Sequence, residues 1–348
     1  MDYEQGQSPA EDNAAVLPLA ADTPERKPLP GASMAQAPSE PGIRVLKFGG
    51  SSLAGAERIL RTARIVQRAT TERRIAVVVS AMGGVTDQLV STAHHLFRGA
   101  GGVAFAEAGL LIHLHHGTAR SLNLKPRDAI RLHTEMETLA GELFHTLRVH
   151  RHGTSFGEVH DRIVSFGERL SCLLFAAALG KLGVAAVPVD AREFVVTSAE
   201  FQNARPLLRA TAGRAEEVFP ALLGKAAVPV VTGFIGATHD GKITTLGRNS
   251  SDYSGAIVAH VLGAAELEIW TDVDGMYTAN PHHSPAARLL TALTYEQAQA
   301  LAENGAKVLH PGVIPLAAKT RMKISICNTL NPQAPGTCIG PGNDGEPS

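Results

Sequence analysis

The chain has little that would cross-link it, draw it to a polyanion or seat it in a bilayer. Its three cysteines, Cys172, Cys327 and Cys338, show no CxxC spacing, which argues against a disulfide framework or a cysteine zinc site and fits a reducing compartment. Neither sign of charge prevails, with 32 Lys plus Arg against 33 Asp plus Glu. No electrostatic footprint for nucleic acid or a membrane surface follows, and a small-molecule partner is favoured. No apolar run attains the roughly 18 residues of a membrane span, and the first residues are acidic where a leader would be basic. These features predict a cytoplasmic protein.

What is present points to a globular α/β chain. A hydrophobic share of 44% over 348 residues is enough to bury a sizeable core. Residues 1–42 hold seven of the twenty prolines and few large apolar side chains, a mix expected to stay disordered, and 341–348 read as a second tail. Between them, short continuous apolar runs at 43–48, 75–80, 184–190, 228–234, 267–271 and 323–327 have the composition of strands buried on both faces of a mostly parallel sheet. Helical patterns at 54–69, 166–182, 253–262, 295–303 and 313–319 separate them, predicting an αβα sandwich. Residues 100–160 read as a polar helical insertion at the sheet edge. Eight of the fifteen histidines fall between residues 113 and 160, including His113, His115 and His116. No cysteine or carboxylate cluster completes a ligand set, so these are read as solvated helix faces and no metal site is expected.

Several segments carry residue types suited to chemistry. In VLKFGGSS, Lys47 ends a strand and Gly49, Gly50 and Ser51 follow, a pattern that offers backbone N–H groups and a point charge to a phosphate, or simply makes a tight turn. In SAMGGVTDQL, Ser80 ends a strand where open sheets bind ligands, and Thr86 opens a helix either as a site hydroxyl or as an N-cap. In FGERLS, Glu168 sits near the start of an apolar helix, either complementing its dipole or holding an ammonium group. TTLGRNSSDYSGA packs Arg248, Asn249, Ser250, Ser251 and Asp252 before an apolar helix, a fork for a carboxylate beside donors for a phosphate, or a polar capped turn. WTDVDGMY places Thr271 and Asp272 at a strand end, and GAKVLHP carries Lys307, a phosphate ligand or a solvated charge.

Taken in order, KFGGSS, SAMGGVTDQL, FGERLS, GRNSSDYS, WTDVDGMYTANP, GAKVLHP and NPQAPGT resemble aspartokinase, in the amino-acid kinase superfamily, nearest the kinase portion of enzymes fused to homoserine dehydrogenase. The resemblance covers residues 43–340. It implies the amino-acid kinase fold, a three-layer αβα sandwich in two lobes, with 43–236 binding L-aspartate and 237–340 binding ATP. It implies phosphoryl transfer from Mg·ATP, with Mg²⁺ as cofactor, to the side-chain carboxylate of L-aspartate, and a homodimer with no nucleic-acid or membrane partner. By the same resemblance Lys47 meets the transferring phosphoryl group and Asp252 orients it. Ser80, Thr86, Glu168, Arg248 and Ser251 bind aspartate. Lys47, Gly49, Gly50, Ser51, Thr271, Asp272, Tyr277, His282, Lys307 and Val308 bind the nucleotide.

The sequence departs from that pattern at three places. Ser250 stands where a small glycine is usual, so that its hydroxyl either crowds a phosphate or donates to it. Asn280-Pro281-His282 replaces Asp-Pro-Arg, exchanging a permanent charge for a mostly neutral side chain; His282→Arg is expected to lower the KM for ATP, and an unchanged or higher KM would refute this. The chain also stops soon after NPQAPGT, where the family continues into regulatory domains, so no strong inhibition by lysine or threonine is expected. Two rival readings are a kinase for another amino-acid carboxylate and a catalytically silent amino-acid-binding module.

Overall fold

Apolar runs without alternation become strands when helices cover both faces of the sheet they join. The computed structural model describes residues 42–149, 154–223, 227–279, 284, 286–303 and 309–342. The chain enters on β1 (Arg44–Phe48), turns through a 3-10 segment at Gly50–Leu53 and helix α1 (Ala56–Ala69), and returns as β2 (Ile75–Val79) parallel to β1. Helices α2 (Val85–Phe97), α3 (Gly101–Ser121), α4 (Pro126–Arg148) and α5 (Phe156–Val164) precede the buried helix α6 (Phe166–Lys181), which leads to β3 (Ala186–Val189). Next come α7 (Leu208–Leu223), β4 (Val228–Thr232), the hairpin of β5 (Ile235–Ala237) and β6 (Ile243–Thr245), and α8 (Ser251–Val261). After β7 (Glu266–Thr271), a short pair β8 (Met276–Tyr277) and β9 (Leu289–Leu290) leads to β10 (Ala292–Thr294). Helices α9 (Tyr295–Glu303) and α10 (Val313–Thr320) and strands β11 (Lys323–Asn328) and β12 (Thr337–Gly340) complete the order.

Eight strands form one sheet in the order β10-β12-β11-β7-β1-β2-β4-β3. All neighbours are parallel except β11 and β12. One half of the sheet, β1 to β4, precedes residue 233, and the other half follows it. They meet where β1 pairs with β7, in register from Arg44 opposite Glu266 to Phe48 opposite Trp270. From β1 the chain crosses toward β2, and from β7 toward β11, so the connections leave in opposite directions. The C-terminal ends of these two strands therefore bound a topological switch point, the crevice where open α/β sheets bind ligands.

Alternation along β1 fixes the layers. A Cβ built on Gly255 of α8 would lie 3.1 Å from the Lys47 Cβ, while the Phe48 ring lies 5.6 Å from that of Phe175 on α6. Helix α8, with α7 and α10 against it, covers one face, and α1 with α6 covers the other. The expected αβα sandwich with a mostly parallel sheet is what forms.

Two expectations need correcting. The stretch Phe156–Lys181 is long and apolar enough by composition to cross a membrane, yet 83% of its apolar window is buried inside the protein; it serves as core helix. The histidine-rich insertion is helical as expected, an α3–α4 hairpin packed on α2 and α6. Its histidines are not all solvated, however. His115 is fully buried, its Nδ1 2.7 Å from the Leu111 carbonyl, and burial pushes its pKa down.

Candidate active site

Strand ends and one helix start converge on a cleft of about 710 Å³. Strand β1 delivers Lys47 and runs into Gly49, Gly50 and Ser51; β2 delivers Ser80; β7 delivers Thr271; and α8 opens with Ser251 and Asp252. The register is held by backbone, Gly49 N–H donating to the Trp270 carbonyl at 3.1 Å and Ser80 N–H to that of Phe48 at 3.2 Å. Two glycine loops then lie backbone against backbone. A Cβ on Gly50 would stand 2.9 Å from the Ala81 carbonyl oxygen, so only glycine fits.

Lys47 is nearly buried, and its Nζ donates to Asp252 Oδ1 at 2.6 Å. Because Asp252 lies in the first turn of α8, the ammonium group is fixed at that helix's N-terminus, where unpaired N–H groups favour an anion. Ser250, just before the helix, is buried, and its Oγ has no hydrogen-bond partner among the described residues.

Glu168, in the first turn of α6, is buried with one carboxylate oxygen accepting from the Ala81 N–H at 3.1 Å and the other unpartnered. Burial raises its pKa to about 8, against the opposing pull of the Ala81 N–H and of Lys47. Such a group is complete only beside a cation. Thr86 also lines the cleft. The N-cap of α2 is Gly84, at φ +82°, so Thr86 is not the cap residue and its hydroxyl makes no capping bond. Arg248 lines the mouth, mostly exposed, donating to Asp87 at 2.6 Å.

Thirteen of the residues singled out from sequence thus share one cleft: Lys47, Gly49, Gly50, Ser51, Ser80, Thr86, Glu168, Arg248, Asn249, Ser250, Ser251, Asp252 and Thr271. Asp272 and Tyr277 stand outside its lining, Asp272 exposed and accepting from the Thr271 hydroxyl at 3.2 Å. His282, Lys307 and Val308 lie outside the described residues.

Sequence reasoning passed over His94, His160, Gln202, Phe234 and Thr245, which line the same cleft. It also passed over Asp161, fully buried behind them. One Asp161 oxygen accepts from the backbone N–H groups of Gln202 and Thr245, each at 2.8 Å; the other accepts from the Thr245 hydroxyl and meets His160 Nδ1, each at 2.9 Å. A single carboxylate thereby ties α5 to the turn at Gln202 and to the end of β6 in the cleft wall. The local signal was only a His-Asp pair inside an apolar helix, and the partners lie 41 and 84 residues away.

Compared with known proteins, the pattern of the Amino acid kinase family matches residues 42–328. The chain belongs to the amino acid kinase family. Within it, Aspartokinase 1, chloroplastic, from Arabidopsis thaliana is 35% identical over 311 residues, covering 86% of this chain and 52% of that protein. Lysine-sensitive aspartokinase 3 from Escherichia coli (strain K12) is 33% identical over 298 residues, 85% of this chain and 64% of that one. A crystal structure of E. coli aspartokinase III in complex with aspartate and ADP (R-state) matches with a TM-score of 0.78 and 32% identity, covering 88% of this chain and 66% of that chain. The chain thus spans about half to two thirds of the length of these relatives.

Proposed function

We propose that this chain is an aspartate kinase catalytic unit, transferring the γ-phosphoryl group of Mg·ATP to the side-chain carboxylate of L-aspartate. The observation that carries the reading is the pairing, in one cleft, of a buried Lys47–Asp252 couple at a helix N-terminus with a buried, half-satisfied Glu168. The first suits a phosphoryl group and the second an α-ammonium group. The structural relative's complex with aspartate and ADP supports both assignments.

In this reading Glu168 holds the ammonium group, Arg248 leaves Asp87 to grip a carboxylate, and Ser80, Thr86 and Ser251 supply hydroxyls. Gly49, Gly50 and Ser51 offer backbone and hydroxyl donors to the phosphates, and the unpartnered Ser250 hydroxyl donates there rather than crowding them. The nucleoside extends beyond Thr271 toward Asp272 and Tyr277, with His282, Lys307 and Val308 completing its pocket. A side-chain carboxylate is already an anion at neutral pH, so no general base is needed. Catalysis is the alignment of two polyanions and the neutralisation of their repulsion.

Mg²⁺ fits this site as a companion of the nucleotide. Among the described residues, the two aspartates in the lining, Asp87 and Asp252, are each paired with a cation, so the phosphates supply the ion's main ligands. When bound, it neutralises charge that develops on the phosphates. We further propose lobes over 43–236 and 237–340, meeting near the β1–β7 junction, a homodimer, a cytoplasmic location, and a place at the head of lysine, threonine and methionine synthesis.

A hydroxamate assay tests the reaction, because hydroxylamine traps an acyl phosphate. Signal that requires both Mg·ATP and L-aspartate and disappears in Lys47→Ala is expected. Signal with another amino acid and none with aspartate would move the assignment to a different acceptor. ATP and aspartate binding without turnover would mark a silent module.

A further inference from the structure

The α3–α4 hairpin, away from the cleft, gathers three side chains with metal-ligating atoms. His133 and Glu137 are four residues apart on α4 and so share one face of it. Helix α3 brings His116 against them. His116 Nε2 is buried and lies 2.8 Å from Glu137 Oε1, but the two miss the alignment of a hydrogen bond, which leaves the nitrogen unsatisfied. On the other side of the ring, the Nδ1 atoms of His116 and His133 are 3.4 Å apart, with ring centroids at 4.9 Å and planes inclined by 57°. One ligating atom from each of the three side chains lies within 4.8 Å of the other two.

We infer that His116, His133 and Glu137 form a binding site for a borderline divalent transition ion such as Zn²⁺, with a fourth position left to water. Two imidazoles and a carboxylate are a donor set suited to such an ion, whereas Mg²⁺ and Ca²⁺ prefer oxygen throughout. Ligand atoms about 2.0–2.1 Å from one tetrahedral ion stand roughly 3.3–3.4 Å apart. The observed spread therefore has to close by about 1.5 Å at most, and His133 and Glu137 are exposed, with rotamers free to close it. His116, held between the helices, is the fixed ligand.

The ion would pin α3 to α4 and so stiffen the hairpin on which α2 rests. This inference is independent of the proposed reaction. The test uses the full chain, metal-free and without nucleotide, titrated with ZnCl₂ and in parallel with MgCl₂, reading bound metal by equilibrium dialysis and Tm by calorimetry. Wild type is expected to take up one more Zn²⁺ than His133→Ala, and to gain about 3–5 °C in Tm at a hundredfold excess over Kd. His133→Ala and Glu137→Gln, both at exposed positions, are each expected to weaken binding roughly tenfold or more without lowering the metal-free Tm. Equal Zn²⁺ uptake and equal Tm gain in wild type and His133→Ala, or equal uptake of Mg²⁺ at this site, would overturn the assignment.

Discussion

Replacing Glu168 by Gln keeps the shape of a buried carboxyl group and removes its titration. In the ligand-free protein, burial raises the Glu168 pKa from 4.5 to about 8. The native state therefore keeps the proton through a range in which the unfolded chain has released it. The native state is favoured in acid, and its stability falls as pH climbs from about 4.5 to about 8. At roughly 1.4 kcal/mol per pH unit the whole span amounts to on the order of 5 kcal/mol, an upper bound for a rigid site. For a chain of this size that corresponds to a Tm loss of about 10 °C between pH 5 and pH 8.5. Glu168→Gln lacks this loss, so its Tm should cross above wild type as pH rises, while every other titrating group contributes equally to both curves. Calorimetry of the two proteins at half-unit pH steps, without aspartate, measures the difference. Parallel curves across the range would refute the claim that Glu168 is buried without a cation. Binding of an amino acid should then expel the proton, so wild type should release close to one proton per aspartate at pH 7 and Glu168→Gln none.

Three other outcomes follow from the same geometry. Lys47→Ala removes the charge aimed at the transferring group, worth about 3 kcal/mol by comparison with single oxyanion donors; kcat in the hydroxamate assay should fall at least a hundredfold, and near-normal turnover would remove Lys47 from the reaction. Asp161→Asn turns an amide toward N–H donors that now share a carboxylate, which should cost about 2–3 kcal/mol in denaturant unfolding and raise the KM for aspartate more than that for ATP. Gly255→Val drives a branched side chain into the space at the Lys47 Cβ, with a stability loss of about 1–3 kcal/mol and a fall in kcat that Gly255→Ala should show more weakly; unchanged kcat in the valine variant would mean that the Lys47 stem is free to move.

The core of the fold was legible because parallel strands buried on both faces announce themselves as unbroken apolar runs. β1, β2, β4, β7 and β11 were read within a residue or two of their bounds. The stretch read as 184–190 folded as a shorter edge strand, Ala186–Val189, partly exposed. Strands β10 and β12 were not read at all, since three or four residues at an edge carry no run and no period. Helix α7 was hidden by Pro220 inside it. In the cleft, glycine loops and clustered hydroxyls were visible as local patterns. Asp161 and the meeting of His116 with His133 and Glu137 were invisible, because each depends on partners that only the tertiary path brings together.

Among the described strands, the one that carries Lys47 comes first in the chain, yet it lies in the middle of the sheet. Its neighbour β7 follows about 220 residues later, which at 5–20 residues per second is on the order of ten to forty seconds of synthesis. Through that interval β1 has one open edge of unpaired N–H and C=O groups, a template for wrong strands. The turn after it is completed later still, when the Ser52 hydroxyl meets that of Thr329, 277 residues onward, at 2.9 Å. Non-local closure of this kind makes folding slow, and it makes the nascent chain, rather than the folded protein, the form most exposed to mispairing.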